Sequence, residues 1–143
     1  MSKIYLGCAL SSASQEFKEQ ISEFRNALKE DFEILEFLSD PLKIAEQSTD
    51  LELCQQIYEH DRNCVLACDL MIAEVSYPSL GEGMELAFAV QNKKPIIAIA
   101  NHNANVSRMI LGINDTHFEI IRYNDIFETI SEIKQKIKDI FPQ

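Results

Sequence analysis

Short apolar runs alternate along the chain with longer segments whose apolar residues recur every three or four positions. Runs of the first kind read as strands buried on both faces, and segments of the second kind as amphipathic helices. Residues 3–9 (KIYLGCA) form the first predicted strand. Ser14 then stands as an N-cap before a helix over residues 15–30, with Phe17, Ile21, Phe24 and Leu28 on one face. Residues 32–37 (FEILEF) are a second strand, ended by Asp40-Pro41, and residues 41–48 read as a loop or short helix near a ligand. A long helix follows over 50–68, carrying Leu53, Ile57, Cys64, Val65 and Ala67. Residues 70–75 are the third strand, 83–91 a helix, and 95–100 (PIIAIA) a fourth strand. After a polar loop at 101–105 come a short helix over 106–111 and a fifth strand over 118–123. A terminal helix over 126–140 lines up Ile126, Ile130, Ile133, Ile137 and Ile140.

Strands that alternate with helices predict an α/β fold, a five-stranded parallel sheet with helices on both faces. The commonest order for five strands is the flavodoxin- or Rossmann-like 2-1-3-4-5, whose topological switch lies between strands one and three. Residues 1–143 then form a single domain. The loop after strand one (8–14) and the loop after strand three (76–83) flank one crevice.

The second of those loops belongs to the most informative stretch, LMIAEVSYPSLGEGMELAFAV at 70–90. An apolar strand breaks at Pro78-Ser79-Leu80-Gly81-Glu82-Gly83 and resumes as a helix. Strand, glycine-bearing loop and helix N-terminus form a common anion site, because free N–H groups and the helix dipole point into the loop. This loop lacks G-x-G-x-x-G and sets a carboxylate, Glu85, in the predicted first turn. Such a glutamate is ordinarily structural, favoured there by the macrodipole. Gly81 and Gly83 change the balance, since they let backbone approach a ligand closely. Asp61, otherwise a solvated helical aspartate, makes with Glu85 the kind of carboxylate pair that cleaves glycosidic bonds. Tyr5, otherwise a core residue, is placed on strand one to orient that carboxylate. Ser79 is an ordinary turn residue or, if a phosphate is bound, its hydroxyl partner.

Composition narrows the partners. The 143 residues carry a net charge of −10, which leaves no basic face for a nucleic-acid polymer or an anionic membrane. Backbone amides can still hold one small anion. No run is long enough to span a membrane and no signal peptide is visible, which predicts a cytoplasmic protein. Cys8, Cys54, Cys64 and Cys68 contain no C-x-x-C pair and read as small buried thiols. His60, His102 and His117 form no ligand-spaced pair, so neither metal nor cofactor is expected.

I-Y-L-G at 4–7, the spacing of Asp61 and Asp69, and A-E-V-S-x-P-S-L-G-x-G-M-E-L-A at 73–87 together resemble the nucleoside 2-deoxyribosyltransferase superfamily. Within it the chain is most similar to the 2′-deoxynucleoside 5′-monophosphate N-glycosidases, from strand one to about Gly112. The resemblance implies Glu85 as nucleophile, Asp61 as the aspartate assisting the departing base, and Tyr5 as the residue positioning Glu85. It implies a phosphate-binding role for Ser79, because transferases acting on free nucleosides have an aspartate there, which would repel a phosphate. Ser107 resembles a serine that reaches the phosphate from the neighbouring subunit of a homodimer. One departure stands out. The hydrolases carry a Gly-Ser-x-Arg-Gly type loop after strand one, whereas this chain has Cys8-Ala9-Leu10-Ser11-Ser12, without arginine. Ser11 and Ser12 are the residues there able to compensate. The expectation is a homodimeric enzyme hydrolysing the N-glycosidic bond of 2′-deoxynucleoside 5′-monophosphates through a glutamyl intermediate. A deoxyribosyltransferase and a non-catalytic nucleotide-binding module are the alternatives.

Overall fold

The computed structural model describes residues 1–10, 13–36 and 50–142. Five strands, β1 (Lys3–Gly7), β2 (Glu33–Leu35), β3 (Leu70–Glu74), β4 (Ile96–Asn101) and β5 (Phe118–Tyr123), form one sheet in the order β2-β1-β3-β4-β5. Every pairing is parallel, and β1 meets β3 with Tyr5 opposite Met71 and Gly7 opposite Ala73. The predicted order and the switch point between β1 and β3 are therefore present.

The helices are α1 (Gln15–Leu28), α2 (Leu51–Ala67), α3 (Leu80–Gln91), α4 (Arg108–Leu111) and α5 (Thr129–Ile140). Alternation along each strand divides the core into two. Ile4, Leu6, Leu70, Ile72, Ile97 and Ile99 face Phe17, Ile21 and Phe24 of α1 and Ile133 and Ile137 of α5. Tyr5, Met71, Ala73, Ile96 and Ala98 face Val65 of α2 and Leu86 and Ala89 of α3.

Several boundaries differ from expectation, and each has a local cause. The first helix ends at Leu28, where Lys29 caps it, two residues before Glu30. Strand β2 is short, Glu33–Leu35, and the predicted segment at 41–48 lies outside the described residues. Helix α2 starts after Asp50, whose carboxylate accepts from the N–H groups of Glu52 and Leu53. The terminal helix begins as a 3-10 turn (Ile126–Glu128) before becoming α-helical at Thr129. The largest difference concerns α3, which begins at Leu80 and not at Gly83, because Ser79 is its N-cap and accepts from the Glu82 N–H at 3.2 Å. Among the described residues, no helix is long and apolar enough to cross a membrane.

Candidate active site

The early start of α3 corrects the picture of the loop after β3. Gly81 and Gly83 are not loop residues. They sit inside the first turns of the helix with ordinary backbone angles, and a Cβ at either would meet nothing within 4 Å. Their lack of a side chain leaves open space on the outer side of the helix start. Glu85 correspondingly lies in the second turn, so the macrodipole does not account for it. The first turn carries Glu82 instead.

Glu85 faces the sheet, and the Tyr5 hydroxyl donates a short hydrogen bond to its Oε2. Tyr5 is fully buried on β1. Two of the sequence-predicted residues, eighty positions apart, are thus joined directly. Burial raises the Glu85 carboxyl from the ordinary carboxylate range to about 7, since desolvation disfavours the charged form. A carboxyl poised near neutrality, with a hydroxyl stabilising its anion, suits a nucleophile that must form and release an ester.

Asp61 lies on α2, and its Oδ1 is 3.0 Å from Nδ1 of the neighbouring His60. Its side chain is largely buried, whereas that of His60 is more than a third exposed. Helix α2 is held beside α3 by Tyr58 against Phe88, with ring centroids 6.0 Å apart, and by the Arg62 guanidinium over the same ring. The His60 contact is one that sequence reasoning missed, because adjacent residues on a helix ordinarily point apart.

Ser79 and Ser107 line one groove of about 790 Å³ running between α3 and α4, together with Tyr77, Glu82, Gly83 and Met109. The Ser79 oxygen accepts the cap bond, which leaves its own O–H available to a ligand. Ser107 occupies the N-cap position of α4, but its hydroxyl makes no cap bond. Ser11 and Ser12 lie outside the described residues. The four cysteines are free thiols, but they are not uniformly buried: Cys8 and Cys68 are, Cys64 is half-buried and Cys54 is exposed. No group of three or more metal-ligating side chains exists among the described residues.

Sequence reasoning also missed two glutamates that organise the crevice. Glu74 ends β3 completely buried. It accepts from the Ser76 N–H at 2.6 Å, from the Ser76 hydroxyl at 2.9 Å and from the Tyr123 hydroxyl of β5. Ser76 Oγ in turn accepts from the Asn101 N–H at the end of β4. Glu82 is 3% exposed, and its Oε2 has no hydrogen-bond partner among the described residues. The available signal was the S-x-x-E spacing of Ser79 and Glu82, which marks a helix start.

A doubly wound sheet with a tyrosine-held carboxylate at its switch point defines a class of α/β proteins that handle small ligands in that crevice. The profile of the nucleoside 2-deoxyribosyltransferase family matches residues 4–135, and the chain belongs to that family. Among curated relatives, a provisionally named 2′-deoxynucleoside 5′-phosphate N-hydrolase 1 from Thermofilum pendens is 38% identical over 81 residues, 55% of this chain and 57% of that protein. A 5-hydroxymethyl-dUMP N-hydrolase from Rattus norvegicus is 39% identical over 72 residues, 48% of this chain and 44% of that protein. The chain spans about half the length of the curated relatives it matches. Among solved structures, the Clostridium botulinum CMP N-glycosidase superposes with a TM-score of 0.64 at 24% identity, covering 92% of this chain and 98% of that one. At that identity the likeness speaks for the fold.

The Glu74 cluster makes a stability prediction. Glu74→Ala removes the acceptor of three donors and leaves the buried Tyr123 hydroxyl unpaired, at about 1–3 kcal/mol for each orphaned group. Urea unfolding is expected to show a loss of roughly 3 kcal/mol or more. A loss below about 1 kcal/mol would mean that water satisfies these donors as well as Glu74 does.

Proposed function

We propose that the chain is an N-glycosidase that hydrolyses 2′-deoxynucleoside 5′-monophosphates to the free base and deoxyribose 5-phosphate. The observation that carries this is the bond from Tyr5 to Glu85, which holds an otherwise desolvated carboxylate at the switch point of a member of this family. The names of its curated relatives, N-hydrolases of deoxynucleotides, support the same reaction.

In the proposed reaction Glu85 attacks C1′ as a carboxylate. The C1′–N bond breaks, its electron pair goes to the base, and a deoxyribosyl ester forms on Glu85. Asp61, whose Oδ1 is 3.0 Å from His60 Nδ1, passes a proton to the base as it leaves. Water then attacks C1′, its hydroxyl staying on the sugar and its proton returning to the pair, and Glu85 is released. Ser79, Ser107 and the amides of Leu80 and Gly81 receive the 5′-phosphate, since both serines line one groove. The protein acts as a homodimer whose active sites lie at the interface. The support for this is apolar surface around Ser107, with Met109 86% exposed and Leu80 93% exposed on the same groove.

The deciding experiment is a product assay on the four deoxynucleoside monophosphates, with and without a second free base. Sugar phosphate and free base are expected in both cases. Exchange of one base for another without hydrolysis would make the chain a deoxyribosyltransferase, and binding without turnover a non-catalytic module.

Glu85→Gln is expected to lower turnover by about a hundredfold or more while the protein stays folded. Because only the carboxylate attacks, kcat/KM of the wild type should rise with pH through a midpoint of about 7. Tyr5→Phe removes the donor that stabilises the anion and should move that midpoint upward. Retention of more than about a tenth of turnover in Glu85→Gln, a change of under ~1.4 kcal/mol, contradicts the nucleophile assignment.

Asp61→Asn is expected to reduce kcat with little change in KM, since the amide fills the same space but carries no titratable proton. A raised KM with unchanged kcat would assign Asp61 to uniform binding.

Sedimentation is expected to show a dimer at micromolar concentration. Met109→Glu should shift it to monomer and reduce activity, and a fully active wild-type monomer would refute the shared site.

A further inference from the structure

The sequence-predicted site leaves out the residue that the structure places most conspicuously in the crevice. Glu82 is the third residue of α3, and its backbone N–H is already bound to Ser79. In a capping box the glutamate side chain would fold back onto the N-cap N–H. Here it turns toward the end of β1, where a Cβ on Gly7 would lie 3.6 Å from Oε2. That oxygen is buried and has no partner among the described residues.

The surroundings decide its protonation. Glu74 approaches it from β3 and adds a like charge. The Glu74 oxygens accept from Ser76 and Tyr123, and neither is hydrogen-bonded to Oε2 of Glu82. From the end of β1, Cys8 is a buried thiol whose ionisation burial, Glu82 and Glu74 all oppose, with Arg25 of α1 acting the other way. Glu85 sits one turn further along α3, held by Tyr5. An unpaired carboxyl in such a place is far cheaper neutral than charged. Burial and Glu74 accordingly push Glu82 well above the ordinary carboxylate range. As a neutral acid Glu82 therefore carries a buried O–H with no acceptor among the described residues, on the turn that Ser79 caps.

Among the described residues, the groove shared by Ser79, Glu82, Gly83 and Ser107 is lined by no lysine, arginine or histidine, and its other acid is Asp115. An anion seated there must be held by hydroxyls, amides and whatever proton Glu82 provides. We propose that Glu82 is a specificity-determining residue that, as a neutral carboxylic acid, donates its O–H to a 5′-phosphate oxygen of the ligand. This rests on the phosphate-bearing substrate of the proposed N-glycosidase. It adds a residue to that site and a pH dependence that a basic side chain would not produce. The sign follows from the donor: phosphate affinity is present while Glu82 is protonated and is lost as pH rises through its raised ionisation.

Calorimetric titration with deoxyribose 5-phosphate and with deoxyribose tests this without requiring turnover. Measurements above neutrality keep the phosphate a dianion throughout, its second ionisation being near pH 6. Wild-type affinity for the sugar phosphate is expected to fall as pH rises. Glu82→Gln still donates but cannot ionise, so its affinity should be independent of pH. Glu82→Leu should bind the sugar phosphate about ten- to a hundredfold more weakly, with deoxyribose unaffected. If Glu82→Leu does not fold, the pH series on Glu82→Gln carries the test alone. Tighter binding by Glu82→Gln at every pH would show an ionised carboxylate that repels phosphate and would overturn the proposal. So would a pH-dependence identical in Glu82→Gln and wild type, or no binding of sugar phosphate by the wild type. Binding that follows the expected pattern in a protein without turnover would leave Glu82 in place and refute only the N-glycosidase function.

Discussion

Glu74 is the joint on which the crevice hangs. Ending β3 in full burial, it gathers the Ser76 N–H and hydroxyl and the Tyr123 hydroxyl, while Ser76 takes the Asn101 N–H. The C-terminal ends of β3, β4 and β5 are thereby tied at one point. A parallel sheet leaves the N–H and C=O groups at its strand ends to be satisfied by loops, and here one carboxylate settles three strands together. The short turn from Ser76 to Ser79 leaves this joint in a defined direction, and Ser79 caps α3 immediately after it. Where α3 begins determines what its turns present: Glu82 toward β1, Glu85 toward Tyr5, and the two glycines toward open space.

This chain of dependence explains which parts were legible in the sequence. Periods of 3.6 and of uninterrupted apolarity survive in α1, α5, β3 and β4 because burial on one face or both enforces them. Those elements and their order followed from pattern alone. The start of α3 did not. Gly81 and Gly83 each weaken a helix by about 1 kcal/mol relative to alanine, so the stretch reads as a loop. The Ser79 cap bond and the burial of Glu82 and Leu86 outweigh that local preference. The Glu74–Tyr123 bond joins residues 49 apart in sequence, and no periodicity reports such a pairing. Tyr5 and Glu85, eighty positions apart, came together first through the adjacency of strands one and three and then through a motif that resembles a known family. Conversely, the exposed Cys54 shows that residue type alone does not predict burial.

The protein's acidity poses a physical problem for the substrate proposed. A net charge of −10 gives a phosphate no long-range attraction, and among the described residues the groove offers it no basic side chain. What remains is short-range: hydroxyls of Ser79 and Ser107, helix-start amides, and space left by two glycines. Such contacts act only over the last few ångströms. They bear on how long a ligand stays more than on how fast it arrives.

Burial treats Glu82 and Glu85 alike, yet their roles in the proposed reaction require opposite charge. Three residues separate them on one helix, and both are raised above the ordinary carboxylate range. Their difference lies in what each meets. Glu85 accepts a hydrogen bond from the Tyr5 hydroxyl, which stabilises its anion, while burial raises its carboxyl to about 7. Oε2 of Glu82 meets no donor among the described residues, and burial together with the like charge of Glu74 pushes this carboxyl well above the ordinary carboxylate range. Neighbouring carboxyls whose environments push them apart divide the labour of anion and acid between them. In the proposed reaction the nucleophile is lost below the Glu85 ionisation, and the proposed phosphate donor is lost above that of Glu82. For the roles proposed, the tyrosine hydroxyl on the first glutamate favours the anion, and the lack of such a donor at Oε2 of the second, among the described residues, favours the acid.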